Sequence, residues 1–92
     1  MILEIVTPEA ILFTGEVESV AVPGINGEFQ MLNNHAPIVS LLQKGEVRIV
    51  GDIEIEEDFE EMFTKGEKGT TLLPISGGTI ELKDNKIIIL AD

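Results

Sequence analysis

The stretch PGINGEFQMLNNHAPIVS, residues 23–40, decides how the chain folds, because it sets one short strand between two polar turns. Pro23-Gly24 and Asn26-Gly27 form the first turn signal. Proline restricts φ, glycine accepts a positive φ, and asparagine tolerates the left-handed region. Residues 28–32, EFQML, follow this signal and have the composition of a short strand.

The second turn signal is the segment NNHAP, residues 33–37, which contains the only histidine of the chain, His35. Pro37 has no N–H group and steers the residue before it away from helical angles. An apolar run at residues 38–42 follows directly and indicates the next strand. The remaining strands are then expected to form a rigid frame around this central stretch.

Short apolar or alternating runs occupy the rest of the chain, separated by Gly, Pro or Asn. Their spacing of about 8–12 residues is typical of sandwiches and barrels. A length of 92 residues corresponds to one domain. The sequence therefore predicts an all-β protein, a single flattened sandwich or barrel over residues 1–92. It should contain about ten short, mostly antiparallel strands.

Three local patterns make this prediction specific. Val47 and Ile49 are two residues apart and should share one face of a strand. Asp84-Asn85 lies between two strand-like runs and predicts a two-residue hairpin turn. Residues 86–90, KIIIL, form an apolar closing strand that is expected to be buried on both faces.

An acidic stretch at about residues 51–69 interrupts the strand pattern, and six of the eight residues 54–61 are acidic. Phe59, Met62 and Phe63 have a helical spacing, but like charges four residues apart repel one another. Strand or loop is therefore favoured over helix at residues 56–63. The run should be solvated, because it lacks the ligand spacing of a calcium-binding loop.

The composition excludes several classes of function. A net charge of −11 with only six basic residues argues against nucleic acid and anionic lipid as partners. The absence of cysteine excludes disulfides and thiolate metal sites. No signal peptide is recognised, and no apolar run approaches the ~20 residues of a membrane span, so direct membrane insertion is not expected. With four Phe and no Trp or Tyr, the core should be aliphatic.

No motif predicts catalysis, and no catalytic, cofactor-binding or metal-binding residue is assigned. His35 lacks a recognisable nucleophile and orienting group, and Ser40 lacks a Gly-x-Ser-x-Gly elbow. Gly77-Gly78 does not open a phosphate-binding loop. A binding or structural module is favoured. Two alternatives stay open: a free-standing sandwich that binds a peptide or small ligand through residues 33–35, and a metal- or carbohydrate-directed enzyme.

Five groups of residues occur in an order and spacing that match a known family. They are Phe13-x-Gly15-x-Val17-x-x-Val20, Pro23-Gly24-x-x-Gly27-Glu28-Phe29, His35-Ala36-Pro37-Ile38-Val39, Gly45-x-Val47-x-Ile49, and Ser76-Gly77-Gly78-x-Ile80-Glu81 with residues 87–92, IIILAD. Over nearly its whole length the chain resembles the N-terminal β-sandwich of the epsilon subunit of rotary F-type ATP synthases.

The resemblance implies a non-catalytic subunit of a proton-translocating complex. The family's epsilon subunit lies at the foot of the central stalk, bound to the gamma subunit and resting on the ring of c subunits. There it belongs to the rotor that couples proton flow to ATP synthesis. The implied location is peripheral, on the cytoplasmic face of the bacterial inner membrane.

The resemblance also implies two sets of contact residues. Gly27, Glu28 and Gln30 match the family's turn that meets the polar loops of the c ring. These loops carry basic and amide groups, which suits an acidic residue at this position. Thr7, His35 and Ser40 match positions on the family's face toward gamma.

Two departures from the family limit what is carried over. Most members continue into a C-terminal helical hairpin that inhibits hydrolysis or binds ATP, whereas this sequence stops at Asp92. No C-terminal helical domain, inhibition or nucleotide binding is therefore expected. The acidic stretch at about residues 51–69 is longer than the usual connection and should lie exposed, away from the rotor contacts.

Overall fold

Ten strands and one short 3₁₀ helix make up the chain in a computed structural model that describes residues 1–92. The strands are β1 (Ile2–Val6), β2 (Ile11–Glu16), β3 (Ser19–Gly24), β4 (Gly27–Leu32), β5 (Ile38–Leu42), β6 (Gly45–Val50), β7 (Thr64–Lys65), β8 (Thr70–Ile75), β9 (Gly78–Lys83) and β10 (Lys86–Ala91). The 3₁₀ helix spans Glu57–Met62, between β6 and β7. Strands account for 59% of the residues and helix for 7%, which confirms the all-β prediction.

The ten strands form one continuous sheet that curls into a half-barrel, and the two halves of this sheet enclose the core as two layers. The first layer has the order β2-β1-β10-β9-β5, and the second has the order β4-β3-β6-β8-β7. A single pairing between Gly24 of β3 and Leu42 of β5 joins them. Neighbouring strands are antiparallel, as predicted, except for the parallel pair β1 and β10.

The core lies between the two layers, because each strand turns alternate side chains inward. Val47 and Ile49 of β6 are both 0% exposed, which confirms that they share the inner face. The largest fully buried side chains are all aliphatic or Met: Leu3, Ile5, Val20, Val22, Met31, Val47, Ile49, Leu73, Ile80, Leu82, Ile87 and Ile89. Burying each one stabilises the fold by about 1.5–3 kcal/mol before entropy is counted.

The hairpin between β9 and β10 confirms the predicted turn. Asp84 and Asn85 both have positive φ, 51° and 60°, as a type I′ turn requires. The twist of this turn matches that of the flanking strands, so Lys83 pairs directly with Lys86. The register of the whole hairpin follows from that turn.

The expectation that residues 86–90 are buried on both faces is wrong. Ile87 and Ile89 are fully buried, but Leu90 is 51% exposed and Ile88 is only partly covered. β10 is central in its layer, with β1 and β9 on its two edges. Nothing in the chain covers the outward side of that layer, so a continuous apolar run is buried on one side alone.

The preference for strand or loop at residues 56–63 is also wrong, because residues 57–62 form the 3₁₀ helix. Phe59 and Phe63 are partly buried and pack against the core. The acidic side chains of the segment are exposed, as expected, so water and salt screen their repulsion. Packing of the two phenylalanines outweighs that screened repulsion.

Candidate functional site

A polar face covers the outward side of the second layer around Glu28, Gln30 and Arg48. Glu28 and Gln30 alternate with inward-facing residues along β4 and are exposed. Arg48 lies on β6, and both Arg48 and Gln30 pair with Ala21 of the intervening strand β3. The guanidinium Nη2 of Arg48 donates a hydrogen bond to Glu28 Oε1, and the two side chains are 50% and 46% exposed.

The predicted c-ring residues lie together at one corner of this polar face. β3 and β4 are joined through the loop Ile25-Asn26, and Gly27 after it has a φ of 117°. Glu28 and Gln30 are the first two outward side chains of β4 beyond that turn. A depression of about 240 Å³ lies beside them and includes Arg48 in its lining.

Arg48 was not among the predicted site residues. The signal was present, since Arg48 is the only arginine of the chain and lies between the inward-facing Val47 and Ile49. Its ion pair with Glu28 is half-exposed and by itself stabilises the fold by only about 0–1 kcal/mol. The pair therefore stays accessible to a binding partner.

The predicted gamma residues do not form one cluster. Thr7 closes the turn between β1 and β2, where its Oγ1 accepts from the Ala10 N–H and donates to the Ala10 carbonyl, both at 3.2 Å. Ser40 lies on β5 and donates from Oγ to the Leu41 carbonyl at 3.1 Å. His35 lies in the turn before β5, with Nδ1 2.8 Å from the Ala36 carbonyl oxygen.

These three residues instead border the first layer. His35 precedes the start of β5, while Thr7 follows the end of β1, which runs in the same direction as β5. Ser40 is half-buried on the inward side of β5 and pairs with Ile80. Three strand spacings of about 4.8 Å separate β5 from β1, so Ser40 and Thr7 are roughly 14 Å apart or more.

An apolar face lies on the outward side of the first layer, towards the end where β1 and β5 finish, and Glu4 and Glu81 lie on the same side in the next row of cross-strand neighbours. Its most exposed members are Ile11, Val39, Leu41 and Leu90, with 56%, 76%, 57% and 51% of their surface accessible. Leu41 pairs with Thr79, Thr79 with Leu90, Leu90 with Val6, and Val6 with Ile11. This row of cross-strand neighbours crosses all five strands of the layer, and because its members are far apart in the chain it was not among the predicted sites.

The free edge of β5 adjoins this apolar face. β5 pairs with β9 along its length, but on its other edge only Leu42 reaches β3. Ile38 to Leu41 therefore have one edge without a neighbouring strand. Such an edge presents backbone N–H and C=O groups to a binding partner.

The turn that carries His35 is held from two sides. The Asn34 N–H donates to Asn85 Oδ1 at 2.8 Å, and the Met1 amino group donates to Asn33 Oδ1 at 2.8 Å. The β9–β10 turn and the start of β1 thus fix the segment, while His35 itself stays exposed. Both predicted corners, at Gly27 and at His35, lie on the surface.

The remaining surface has a further depression and no cluster of metal-ligating side chains. No three His, Cys, Asp or Glu side chains converge where a metal ion would bind. A depression of about 560 Å³ lies beside the 3₁₀ helix and is lined in part by Ile53, Glu60 and Phe63. None of the helical residues forms a helix of the length and apolarity that crossing a membrane requires.

Comparison with known proteins places this two-layer sandwich in a family. The family model for the ATP synthase delta/epsilon chain beta-sandwich domain matches residues 1–92. The ATP synthase epsilon chain of Chlorobaculum tepidum is 38% identical over 90 residues, covering 98% of this chain and 86% of that relative. The ATP synthase epsilon chain of Leptospira interrogans is 42% identical over 90 residues, covering 98% of this chain and 59% of that relative.

A solved structure has the same fold. It is a chain in the central stalk and c-ring part of the mitochondrial ATP synthase of Tetrahymena thermophila, with a TM-score of 0.72 and 17% identity. The match covers 99% of this chain and 62% of that one. The chain therefore belongs to the ATP synthase delta/epsilon chain family, and the family's beta-sandwich domain accounts for all of its residues.

Proposed function

We propose that this protein is the epsilon subunit of a rotary F-type ATP synthase. In this role it docks gamma onto the c ring and takes part in coupling proton-driven rotation to ATP synthesis. It carries no catalytic residue of its own. As part of the complex it lies peripherally, on the cytoplasmic face of the bacterial inner membrane.

The observation that carries this proposal is the opposite chemistry of the two outward faces. The first layer presents the apolar face with Val39, Leu41 and Leu90, and the second layer presents the polar face with Glu28 and Gln30. A sandwich with two such different faces is suited to hold two different partners. Between the faces, the fully buried core keeps their relative position fixed.

The polar face is the proposed c-ring contact. Gly27, Glu28 and Gln30 project at one corner, where they can meet a polar loop without disturbing the core. An acidic group favours a basic partner and rejects an acidic one, and such charge complementarity mainly sets specificity and the rate of encounter. The net charge of −11 adds a long-range attraction for a basic loop.

The apolar face is the proposed gamma contact, together with the residues that border it. Thr7 and His35 lie at its two ends, and Ser40 lies on the strand with the free edge. Exposed apolar patches of this kind mark interaction sites on soluble proteins. Leu41 and Val39 then supply buried apolar area, and the edge of β5 supplies backbone hydrogen bonds.

The Glu28→Lys variant tests the c-ring contact. Reversing the charge should weaken binding to a purified, detergent-solubilised c ring by about tenfold or more, because the acidic complement of the basic loop is lost. ATP synthesis by reconstituted vesicles should fall with it. Binding is measured by biolayer interferometry and synthesis by luciferase luminescence.

Glu57→Lys provides the matched control for that variant. Glu57 is an exposed acidic residue of the 3₁₀ helix, so the change in net charge is identical while the polar face is untouched. The control should bind the ring as the unchanged protein does. Equal binding by both variants would rule out the polar face as the c-ring contact.

The Leu41→Asp variant tests the gamma contact. A charge on the apolar face, beside the free edge of β5, should weaken binding to purified gamma about tenfold or more, because the carboxylate loses its hydration in the interface. Leu32→Asp is the control, since Leu32 has the same 57% exposure but lies on β4. If gamma binds both variants with unchanged affinity, its contact lies elsewhere.

A further inference from the structure

We propose that Arg48 is a further docking residue of the polar face. The proposal rests on the c-ring contact proposed above and specifies the chemistry of the partner. Arg48 and Glu28 together form a two-charge element. It recognises a loop that presents a basic group and an oxygen acceptor, a carboxylate or carbonyl, side by side.

The placement of Arg48 is distinctive within the chain. It is the only arginine, and the strands β3, β4, β6 and β8 contain no lysine, so it is the only cation on those strands. Glu46 lies two residues away on the same side of β6, next to the pair. Without Arg48 the charged side chains on these strands would all be acidic and would repel a partner carboxylate.

The side chains of Arg48 and Glu28 meet across β3, which lies between β6 and β4. Ala21 of β3 pairs with Arg48 on one side and with Gln30 on the other. Its methyl group is the smallest side chain that a non-glycine residue can place there, and it is 8% exposed. The guanidinium therefore lies over β3, where a longer side chain at position 21 would obstruct it.

The guanidinium retains unused hydrogen-bonding capacity. An arginine has five N–H donors in a planar fork, and Arg48 makes its single hydrogen bond from Nη2 to Glu28. Its side chain is 50% exposed, so a binding partner can reach the guanidinium. Guanidinium groups of this kind bind carboxylate and carbonyl oxygens of a partner in a defined geometry.

The two charges of the pair also have a fixed order across the strands, with the negative charge on β4 and the positive charge on β6. Glu28 lies near the Gly27 turn, and Arg48 lies two strands away on β6. A partner that matches this order of charges meets attraction at both positions, whereas the reversed order produces repulsion at both. This difference separates docking through the ordered pair from an ion pair that only holds the strands together, and the single Arg48→Glu variant then reports the part that Arg48 takes.

The test uses Glu28→Arg, Arg48→Glu and the double variant that exchanges the two charges. Binding to the purified, detergent-solubilised c ring is measured by biolayer interferometry, and stability by urea unfolding followed by circular dichroism. Each single variant should bind at least tenfold more weakly. The double variant should regain the stability of the unchanged protein, because the intramolecular pair is restored, yet still bind at least tenfold more weakly.

Two results would overturn the inference. Full recovery of ring binding in the double variant would show that the order of the two charges does not matter, so that the pair only holds β6 to β4 and does not meet the ring directly. Unchanged binding by Arg48→Glu, with Glu28→Arg weakened, would show that Glu28 acts alone. Unchanged binding by Glu28→Arg is a different failure, because it would remove the proposed c-ring contact itself.

Discussion

Replacing Gly78 with alanine should destabilise the protein by about 3 kcal/mol or more. Gly78 begins β9 with a φ of 152°, a conformation that residues with a side chain rarely adopt. An added Cβ would overlap the Leu90 carbonyl oxygen and lie 3.1 Å from the Ala91 Cα. Both are backbone atoms of β10, so relieving the overlap would separate Gly78 from its partner Ala91.

Gly69→Ala is the matched control for Gly78→Ala. Gly69 also has a positive φ, 74°, but a Cβ there has no atom within 4 Å. Its expected cost is about 1 kcal/mol, from backbone strain alone. Urea unfolding is best followed by far-ultraviolet circular dichroism, because the chain has no Trp or Tyr. Equal losses in the two variants would contradict the close approach of β9 and β10.

Ile89→Ala should destabilise the fold by about 3 kcal/mol, whereas Leu90→Ala should cost less than about 0.5 kcal/mol. The two residues are adjacent on β10, yet Ile89 is 0% exposed and Leu90 is 51% exposed. Ile89 pairs with Ile5 on one side and Ile80 on the other, so truncation leaves a cavity between buried side chains.

The same urea measurements test this pair. Both substitutions remove aliphatic atoms from the same strand, so both lower its β-propensity. A difference between their losses in free energy of unfolding therefore shows which side of the layer is buried. In the free protein, a large loss for Leu90→Ala would mean that the outward side of the first layer is covered. If gamma covers the apolar face as proposed, Leu90→Ala should also weaken the binding of gamma, an effect that the isolated protein does not report.

The strands could be predicted because their signals are local. Turn chemistry at Asp84-Asn85 and alternation at Val47 and Ile49 depend on residues close together in the chain. The burial of β10 could not be predicted in the same way. The run IIIL is apolar throughout, and which side is covered depends on a second layer made by distant residues.

The 3₁₀ helix was missed because two local tendencies conflict there. Repulsion between neighbouring carboxylates opposes a helix, while Phe59 and Phe63 favour one by packing on the core. Which tendency prevails depends on how exposed the acidic side chains are in the folded protein. The spacing of residues in the sequence does not determine that exposure.

The candidate site was predicted in part. Glu28 and Gln30 follow a turn that the sequence marks clearly, and the structure brings them together at one exposed corner. Arg48 lies near them because β6 and β4 are both neighbours of β3 in the sheet. β6 is distant from β3 in the sequence, so this neighbourhood has no local signal. The roles of Thr7, His35 and Ser40 stay predictions that derive from the family resemblance.

The parallel pairing of β1 with β10 has a consequence for biosynthesis. The first strand of the chain to be made lies between β2 and a strand that ends at residue 91. Until β10 has left the ribosome, β1 of the nascent chain can pair only with β2, and its other edge has no partner. Completion of the first layer must therefore wait for translation to pass residue 91, and folding that depends on such distant pairing is slow.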